Sequence, residues 1–126
     1  MLNTRAVDLV VVGGGPAGMA AAVAAAEAGV EEIILLERQE RLGGILPQCI
    51  HNGFGLRFFK EELTGPEYAH RFLLELEKHS GIEVKTETMV IEVTADRRVV
   101  TVSAAEGLVC YKARAVILAM GCRERP

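Results

Sequence analysis

The sequence predicts an α/β fold in which helices cover a parallel sheet, and three apolar runs lead to this prediction. The first, Val7–Val12, is followed by a glycine-rich turn and then by an alanine-rich stretch that is typical of a helix. The second, Ile33–Leu36, follows that helix, and the third, Ala115–Ala119, lies near the end of the chain. Short runs that are apolar on both faces belong in the interior of a parallel sheet.

Two helices and a further short strand are predicted between these runs. The first helix is expected over Pro16–Ala28, because proline is favoured in the first helical turn and Gly29 suits a helix C-terminus. The second helix is expected over 64–79, where apolar residues recur at helical spacing. A short strand, Ile82–Lys85, is expected after it.

The last third of the chain predicts an antiparallel three-stranded β-meander at about residues 88–113. Its strands are expected near Met89–Thr94, Val99–Ser103 and Leu108–Lys112, with turn signals between them. The apolar run Ala115–Ala119 is then expected to return to the parallel sheet. Residues 1–126 are interpreted as the N-terminal part of one domain, which is expected to be incomplete.

Composition narrows the class of protein. Half of the 126 residues are hydrophobic, which is enough for a packed core. The net charge of −3, from 14 basic and 17 acidic residues, favours neither a nucleic acid nor an anionic membrane as partner. Three cysteines without C-x-x-C spacing argue against a disulfide framework and favour a cytoplasmic location. Asp8, Glu27 and the glycine turn interrupt the apolar N-terminal segment, so no membrane-spanning segment is expected.

The turn after the first strand has the spacing G-x-G-x-x-G, formed by Gly13, Gly15 and Gly18. Between a strand and a helix, this spacing predicts a dinucleotide-binding βαβ unit. Gly13 allows the tight turn, Gly15 lets the backbone approach a pyrophosphate, and Gly18 lets the helix lie close to the sheet. No lysine follows the turn, which excludes a Walker-type phosphate loop. The alternative is a strand–helix turn that binds nothing.

Glu37 ends the second apolar run, about 20 residues after the glycine turn. A carboxylate at the end of a buried strand needs hydrogen-bond donors, and the two hydroxyls of an adenosine ribose supply them. The same charge repels the 2′-phosphate of NADP, so this cofactor is not expected here. The alternative is a strand end that faces solvent.

Three segments together resemble the N-terminal FAD-binding segment of the glutathione-reductase-like oxidoreductases with two dinucleotide-binding domains. These segments are residues 11–18, Glu37-Arg38 followed by Gly43-Gly44, and 116–126 around Gly121. The resemblance implies a Rossmann-like fold that binds FAD and takes part in hydride or electron transfer. It also implies that the small-molecule substrate, and NAD(P)H if it is used, bind to regions outside this chain. Residues 43–55 resemble a bacterial subgroup that is similar to the flavoprotein subunits of glycerol-3-phosphate dehydrogenase and of amino-acid dehydrogenases, which implies partner subunits of a dehydrogenase complex.

The resemblance also implies a set of residues in contact with FAD. The pyrophosphate is expected at the glycine turn, the ribose at Glu37 and the adenine near Arg38. The full set is Gly13, Gly14, Gly15, Pro16, Ala17, Gly18, Glu37, Arg38, Gly43, Gly44 and Gly121.

Cys49 and His51 are the candidate catalytic residues, because the resemblance implies that their loop passes near the flavin ring. The imidazole would activate the thiol or the thiol would tune the flavin; the alternative is a cysteine that packs and a histidine that bonds to the backbone. The disulfide reductases of the superfamily carry two cysteines in this segment, whereas this chain has one, so dithiol chemistry is not expected. Two ligands do not complete a metal site, so no metal is expected.

Two other functions stay open on the sequence alone. One is a non-catalytic module that binds NAD or another nucleotide. The other is an inactive truncated fragment, since further strands of the sheet are expected to lie outside the chain. Gly43-Gly44 and the run that ends at Gly121 favour FAD over the first of these alternatives.

Overall fold

The structure is a computed structural model that describes residues 2–43 and 65–121. Over these residues the chain forms six strands and two helices. In chain order they are β1 (Asn3–Val12), α1 (Pro16–Glu27), β2 (Ile33–Leu36), α2 (Gly65–Glu77), β3 (Ile82–Lys85), β4 (Thr88–Val93), β5 (Arg98–Ser103) and β6 (Gly107–Leu118).

One mixed sheet contains all six strands in the order β3-β2-β1-β6-β5-β4. The strands β3, β2, β1 and β6 run parallel to one another. At the side of β6, β5 pairs antiparallel with β6, and β4 pairs antiparallel with β5. The predicted α/β fold with a parallel sheet and an antiparallel meander is therefore confirmed. The bounds of β2 and β3 are those that the apolar pattern predicted.

The third meander strand and the last parallel strand are one continuous strand, β6, whereas the sequence predicted two. The first half of β6 pairs antiparallel with β5, and β6 pairs parallel with β1 from Val109 to Leu118. Arg114 interrupts the apolar pattern between the two predicted runs, but its side chain is 86% exposed. The charge therefore stays in solvent while the backbone continues the strand, because successive side chains of a strand point to opposite faces.

β1 begins at Asn3, four positions before the apolar run that predicted it. Residues 3–6 are exposed, yet they pair in register with 109–112 of β6. Pairing through the backbone alone leaves no apolar signature, which is why the pattern located only the buried part of the strand.

Both faces of β2 and of Leu9–Val12 in β1 are buried, which explains the uninterrupted apolar sequence of these two segments. The helices α1 and α2 cover one face of these strands. The meander covers the other face, where Val99 and Tyr111 pack against the strands. Alternate strand residues share a face. Leu9, Val11, Ile33 and Leu35 lie under the helices, and Val10, Val12, Ile34 and Leu36 lie under the meander.

The end of α1 follows the prediction. Gly29 has φ +99° and its N–H donates to Ala26 O at 3.0 Å, while the N–H of Val30 donates to Ala25 O at 3.0 Å. This pair of bonds is a Schellman motif, which satisfies the last carbonyls of a helix. Within the part of the chain that the structure describes, neither helix is long and apolar enough to cross a membrane.

Four charged side chains form what we call the charged cluster, Arg5, Glu83, Lys85 and Glu106. Arg5 Nη1 and Nη2 donate to the two oxygens of Glu83 at 3.0 and 2.9 Å. Lys85 Nζ lies 3.4 Å from Glu83 Oε2 and 3.1 Å from Glu106 Oε1. These ion pairs link β1, β3 and the turn between β5 and β6. Burial raises the pKa of Tyr111, which also interacts with the charges of the cluster.

Candidate cofactor-binding site

The glycine turn lies at the edge of the sheet where the parallel strands end. Gly13 follows β1, Glu37 follows β2 and Ala119 follows β6. The N–H of Gly13 donates to Leu36 O at 2.8 Å, and the N–H of Ala119 donates to Val12 O at 2.8 Å. Ligands of open α/β sheets bind at this edge. The structure thus brings together the glycine turn and Glu37, which the sequence predicted separately.

Gly13 and Gly18 are required by contacts within the protein. Gly13 has φ +113°, and a Cβ on it would lie 2.2 Å from Ala119 O. A Cβ on Gly18 would lie 1.7 Å from Gly13 O, because α1 starts directly against the turn. These distances give a structural reason for the close approach of helix and sheet that the spacing predicted.

The start of α1 leaves backbone N–H groups without helical partners. Gly15 is the N-cap residue, so no side chain caps the helix, and Pro16 occupies the first helical turn. The first intrahelical bond runs from Met19 N to Gly15 O at 3.0 Å, so the N–H groups of Ala17 and Gly18 precede the helical ladder. The first turn contains no acidic residue. An uncapped helix start of this kind attracts an anion through its N–H groups and its dipole, and it fits a pyrophosphate.

Glu37 is half-buried, and its carboxylate is held by two backbone N–H groups. Oε1 accepts from Gly14 N at 2.9 Å, and Oε2 accepts from Gln39 N at 2.8 Å. The sequence attributed the donors at this carboxylate to a ribose, and the structure shows that the protein supplies two of them. Each carboxylate oxygen accepts two hydrogen bonds, so both keep capacity for the two hydroxyls of a ribose.

Gly14 connects the glycine turn to the segment after β2. Its N–H donates to Glu37, and its carbonyl accepts from Gly43 N at 2.7 Å. A Cβ on Gly14 would lie 2.4 Å from Leu42 Cδ2 and 3.0 Å from Glu37 Cβ. Sequence patterns assigned no role to Leu42 and no separate role to Gly14. One indication of a role for Gly14 was present in the sequence, because the G-x-G-x-x-G spacing does not require glycine at that position.

The remaining predicted residues divide into two groups. Arg38 is exposed beside Glu37, and Gly121 is exposed with φ +69° just beyond β6 at the same edge. Gly44, Cys49 and His51 lie outside the described residues, so their roles stay predictions. Within 2–43 and 65–121, the His, Cys, Asp and Glu side chains form no group of three or more that could hold a metal ion.

The first half of the chain resembles a known family of proteins. Residues 8–59 match the family described as FAD dependent oxidoreductase. The matched segment contains the glycine turn, Glu37 and the segment after it.

Among similar proteins, the hydrogen cyanide synthase subunit HcnB of Pseudomonas protegens is 34% identical over 122 residues, which cover 92% of this chain and 24% of that protein. An opine oxidase subunit of Agrobacterium tumefaciens is 33% identical over 127 residues, which cover 94% of this chain and 24% of that protein. The chain therefore spans about a quarter of the length of the curated relatives it matches.

Solved structures show the same fold. L-proline dehydrogenase from P. horikoshii has a TM-score of 0.81 at 22% identity, over 96% of this chain and 24% of that chain. Thioredoxin reductase of Lactococcus lactis has a TM-score of 0.71 at 27% identity, over 95% of this chain and 37% of that chain. The Rossmann-like fold is confirmed, and the family match supports the prediction of an FAD-binding portion of an oxidoreductase.

Proposed function

We propose that this chain holds FAD in a flavin-dependent oxidoreductase that transfers hydride or electrons between a small organic substrate and an acceptor. One observation carries the proposal. The uncapped start of α1 and the carboxylate of Glu37 meet at the same glycine turn, at the edge of the sheet where nucleotides bind. The first suits the pyrophosphate of a dinucleotide and the second suits its adenosine ribose.

The residues of the chain bind and orient the cofactor. The N–H groups at the start of α1 donate to the pyrophosphate, and Glu37 accepts from the ribose hydroxyls. Gly15 keeps the backbone free of a side chain where the pyrophosphate approaches. When bound, FAD supplies the redox chemistry, and the protein supplies position and electrostatics.

The finer parts of the proposal concern the rest of the protein. Two relatives are named as subunits, one of hydrogen cyanide synthase and the other of opine oxidase. On this ground, and on the predicted likeness to the flavoprotein subunits of glycerol-3-phosphate dehydrogenase, we expect partner subunits. The substrate, and NAD(P)H if the enzyme uses it, would bind outside these 126 residues. The use of cysteine favours the cytoplasm.

Flavin content tests the assignment directly. The full-length protein is expected to purify with an FAD absorption spectrum. Glu37→Ala removes charge-assisted hydrogen bonds and is expected to weaken FAD binding by about 10- to 100-fold. Gly15→Val places a branched side chain at the pyrophosphate and is expected to abolish binding.

Two matched variants control for general damage. Glu40→Ala removes an exposed carboxylate from the same segment, and Ala24→Val adds a branched side chain on an exposed part of α1. Both are expected to retain FAD. Equal flavin occupancy in Glu37→Ala, Gly15→Val and the wild type would contradict the proposal, and binding of NAD in place of FAD would favour the nucleotide-binding module.

A further inference from the structure

The segment that follows β2 turns back onto the glycine turn. Its Gly43 N–H donates to Gly14 O at 2.7 Å. The side chain of Leu42, only 7% exposed, lies over Gly14 so closely that a Cβ there would be 2.4 Å from its Cδ2. The packing of Leu42 therefore depends on glycine at position 14.

The same residue, Gly14, holds Glu37. Its N–H donates to Glu37 Oε1 at 2.9 Å, while its carbonyl binds the N–H that directly follows Leu42 in the chain. Gln39 N, from the same segment, holds Oε2 at 2.8 Å. Both oxygens of the carboxylate are thus oriented by backbone groups whose positions depend on how residues 37–43 pack against the turn.

We propose that Leu42 is a positioning residue, which fixes the carboxylate of Glu37 in the orientation that receives the cofactor ribose. The inference rests on the proposed function for the identity of the ligand. Leu42 packs the 37–43 segment onto Gly14, and this contact keeps the two N–H donors aligned on Glu37. A carboxylate held before the ligand arrives loses less side-chain entropy on binding, so affinity depends on Leu42 without any contact between Leu42 and FAD.

The competing explanation is that Leu42 only fills the core. Leu42 belongs to the apolar cluster beneath the helices, together with Leu76 of α2, which is 4% exposed. Leu76 provides the matched control, because Leu76→Ala removes the same atoms from the same cluster at a site that takes no part in the bonds to Glu37. A residue that only fills the core would behave like Leu76.

The first measurement needs no cofactor. Amide hydrogen exchange is followed in the full-length apo protein for Leu42→Ala and Leu76→Ala, with global stability measured in parallel. Leu42→Ala is expected to speed exchange at Gly14 and Gln39 by about 10-fold relative to Leu76→Ala, because the donors to Glu37 lose their alignment. Equal exchange rates at these two amides in both variants would overturn the proposal.

The second measurement is FAD affinity, titrated with added FAD. Leu42→Ala is expected to weaken binding by about 10-fold in the wild-type background and to have no further effect in Glu37→Ala, because it acts through that carboxylate. Leu42→Met, which nearly conserves the volume, is expected to restore affinity. Independent, multiplying effects of Leu42→Ala and Glu37→Ala would contradict the proposal. A wild-type protein without affinity for FAD would refute the proposed function, and the exchange rates would still decide the role of Leu42.

Discussion

The glycine turn and the charged cluster tie the sheet together by opposite means. In the turn, backbone contacts backbone: a Cβ on Gly18 would lie 1.7 Å from Gly13 O. In the charged cluster, long side chains reach across the sheet, and those of Arg5 and Glu83 remain 42% and 46% exposed although they are 2.9 Å apart. At Gly13 and Gly18 the backbone leaves no room for a Cβ, whereas water replaces a lost partner in the cluster.

The two regions are expected to differ in how well they tolerate substitutions. A pyrophosphate that is bound by backbone N–H groups requires a chain without side chains at the point of approach, so substitutions of the glycines there are poorly tolerated. Ion pairs at a half-exposed surface contribute little each, because solvent competes for both charges. Substitutions of similar size should therefore have very different effects in the two regions.

The largest loss of stability is expected for Gly18→Ala. Helix propensity alone favours alanine over glycine by about 1 kcal/mol in a helix. The contact with Gly13 O reverses the sign, because backbone cannot move aside as a flexible side chain can. We expect the free energy of unfolding to fall by about 3 kcal/mol, measured by urea denaturation, with loss of FAD.

Gly29→Ala is the matched control at the other end of α1. A Cβ there meets no atom within 4 Å, although φ is +99°. The cost is then backbone strain alone, about 1–2 kcal/mol, and FAD affinity is expected to be unchanged. A smaller loss of stability in Gly18→Ala than in Gly29→Ala would show that the close approach of α1 to the turn is wrong.

Arg5→Ala removes the bidentate bond to Glu83 and is expected to lower the free energy of unfolding by less than about 1 kcal/mol. Arg114→Ala is its control, because that side chain is 86% exposed and lies 4.0 Å from Asp8 Oδ1. Denaturation in low salt and in high salt measures both. A loss in Arg5→Ala that is as large as that in Gly18→Ala would erase the distinction between the two regions.

The smallest expected effect is the change with pH in the contribution of the charged cluster to stability. The hydrogen bond from Arg5, aided by its charge, lowers the pKa of Glu83 below 4.5. Since the folded pKa is the lower one, the contribution of Glu83 is present above its ordinary pKa and is lost as the pH falls through the folded value.

Urea denaturation between pH 7 and pH 3 tests this sign. The stability difference between the wild type and Arg5→Ala is expected to persist from pH 7 to about pH 5 and to shrink below pH 4.5, within the limit of about 1 kcal/mol set by solvent exposure. A difference that grows as the pH falls would contradict the assignment.

Burial accounts for the exact prediction of β2 from the sequence. The four residues of β2 are all buried, so their apolar run marked both ends of the strand. The exposed start of β1 and the charged position in the middle of β6 were missed, because backbone pairing holds them and the apolar pattern does not record it.

The candidate site divides in the same way. The spacing of the glycines and the position of Glu37 follow the pattern of dinucleotide-binding βαβ units, so they were visible in the sequence. Leu42 was not, because its importance arises from the return of the 37–43 segment to Gly14. An apolar residue in a connection has no mark that distinguishes a contact with the site from ordinary core packing.

The continuity of β6 has a consequence for how such sequences diverge. At about 3.3 Å per residue, its 12 residues extend over about 40 Å, from the turn at Gly107 to the edge of the sheet at the glycine turn. Pairing with β1 fixes the register of this strand from Asn3 opposite Val109 to Val12 opposite Leu118. Insertions and deletions in the β4–β5 and β5–β6 turns can therefore accumulate without shifting Ala119 against Gly13. The two turns of the meander can thus change length while the edge of the sheet at the glycine turn keeps its alignment.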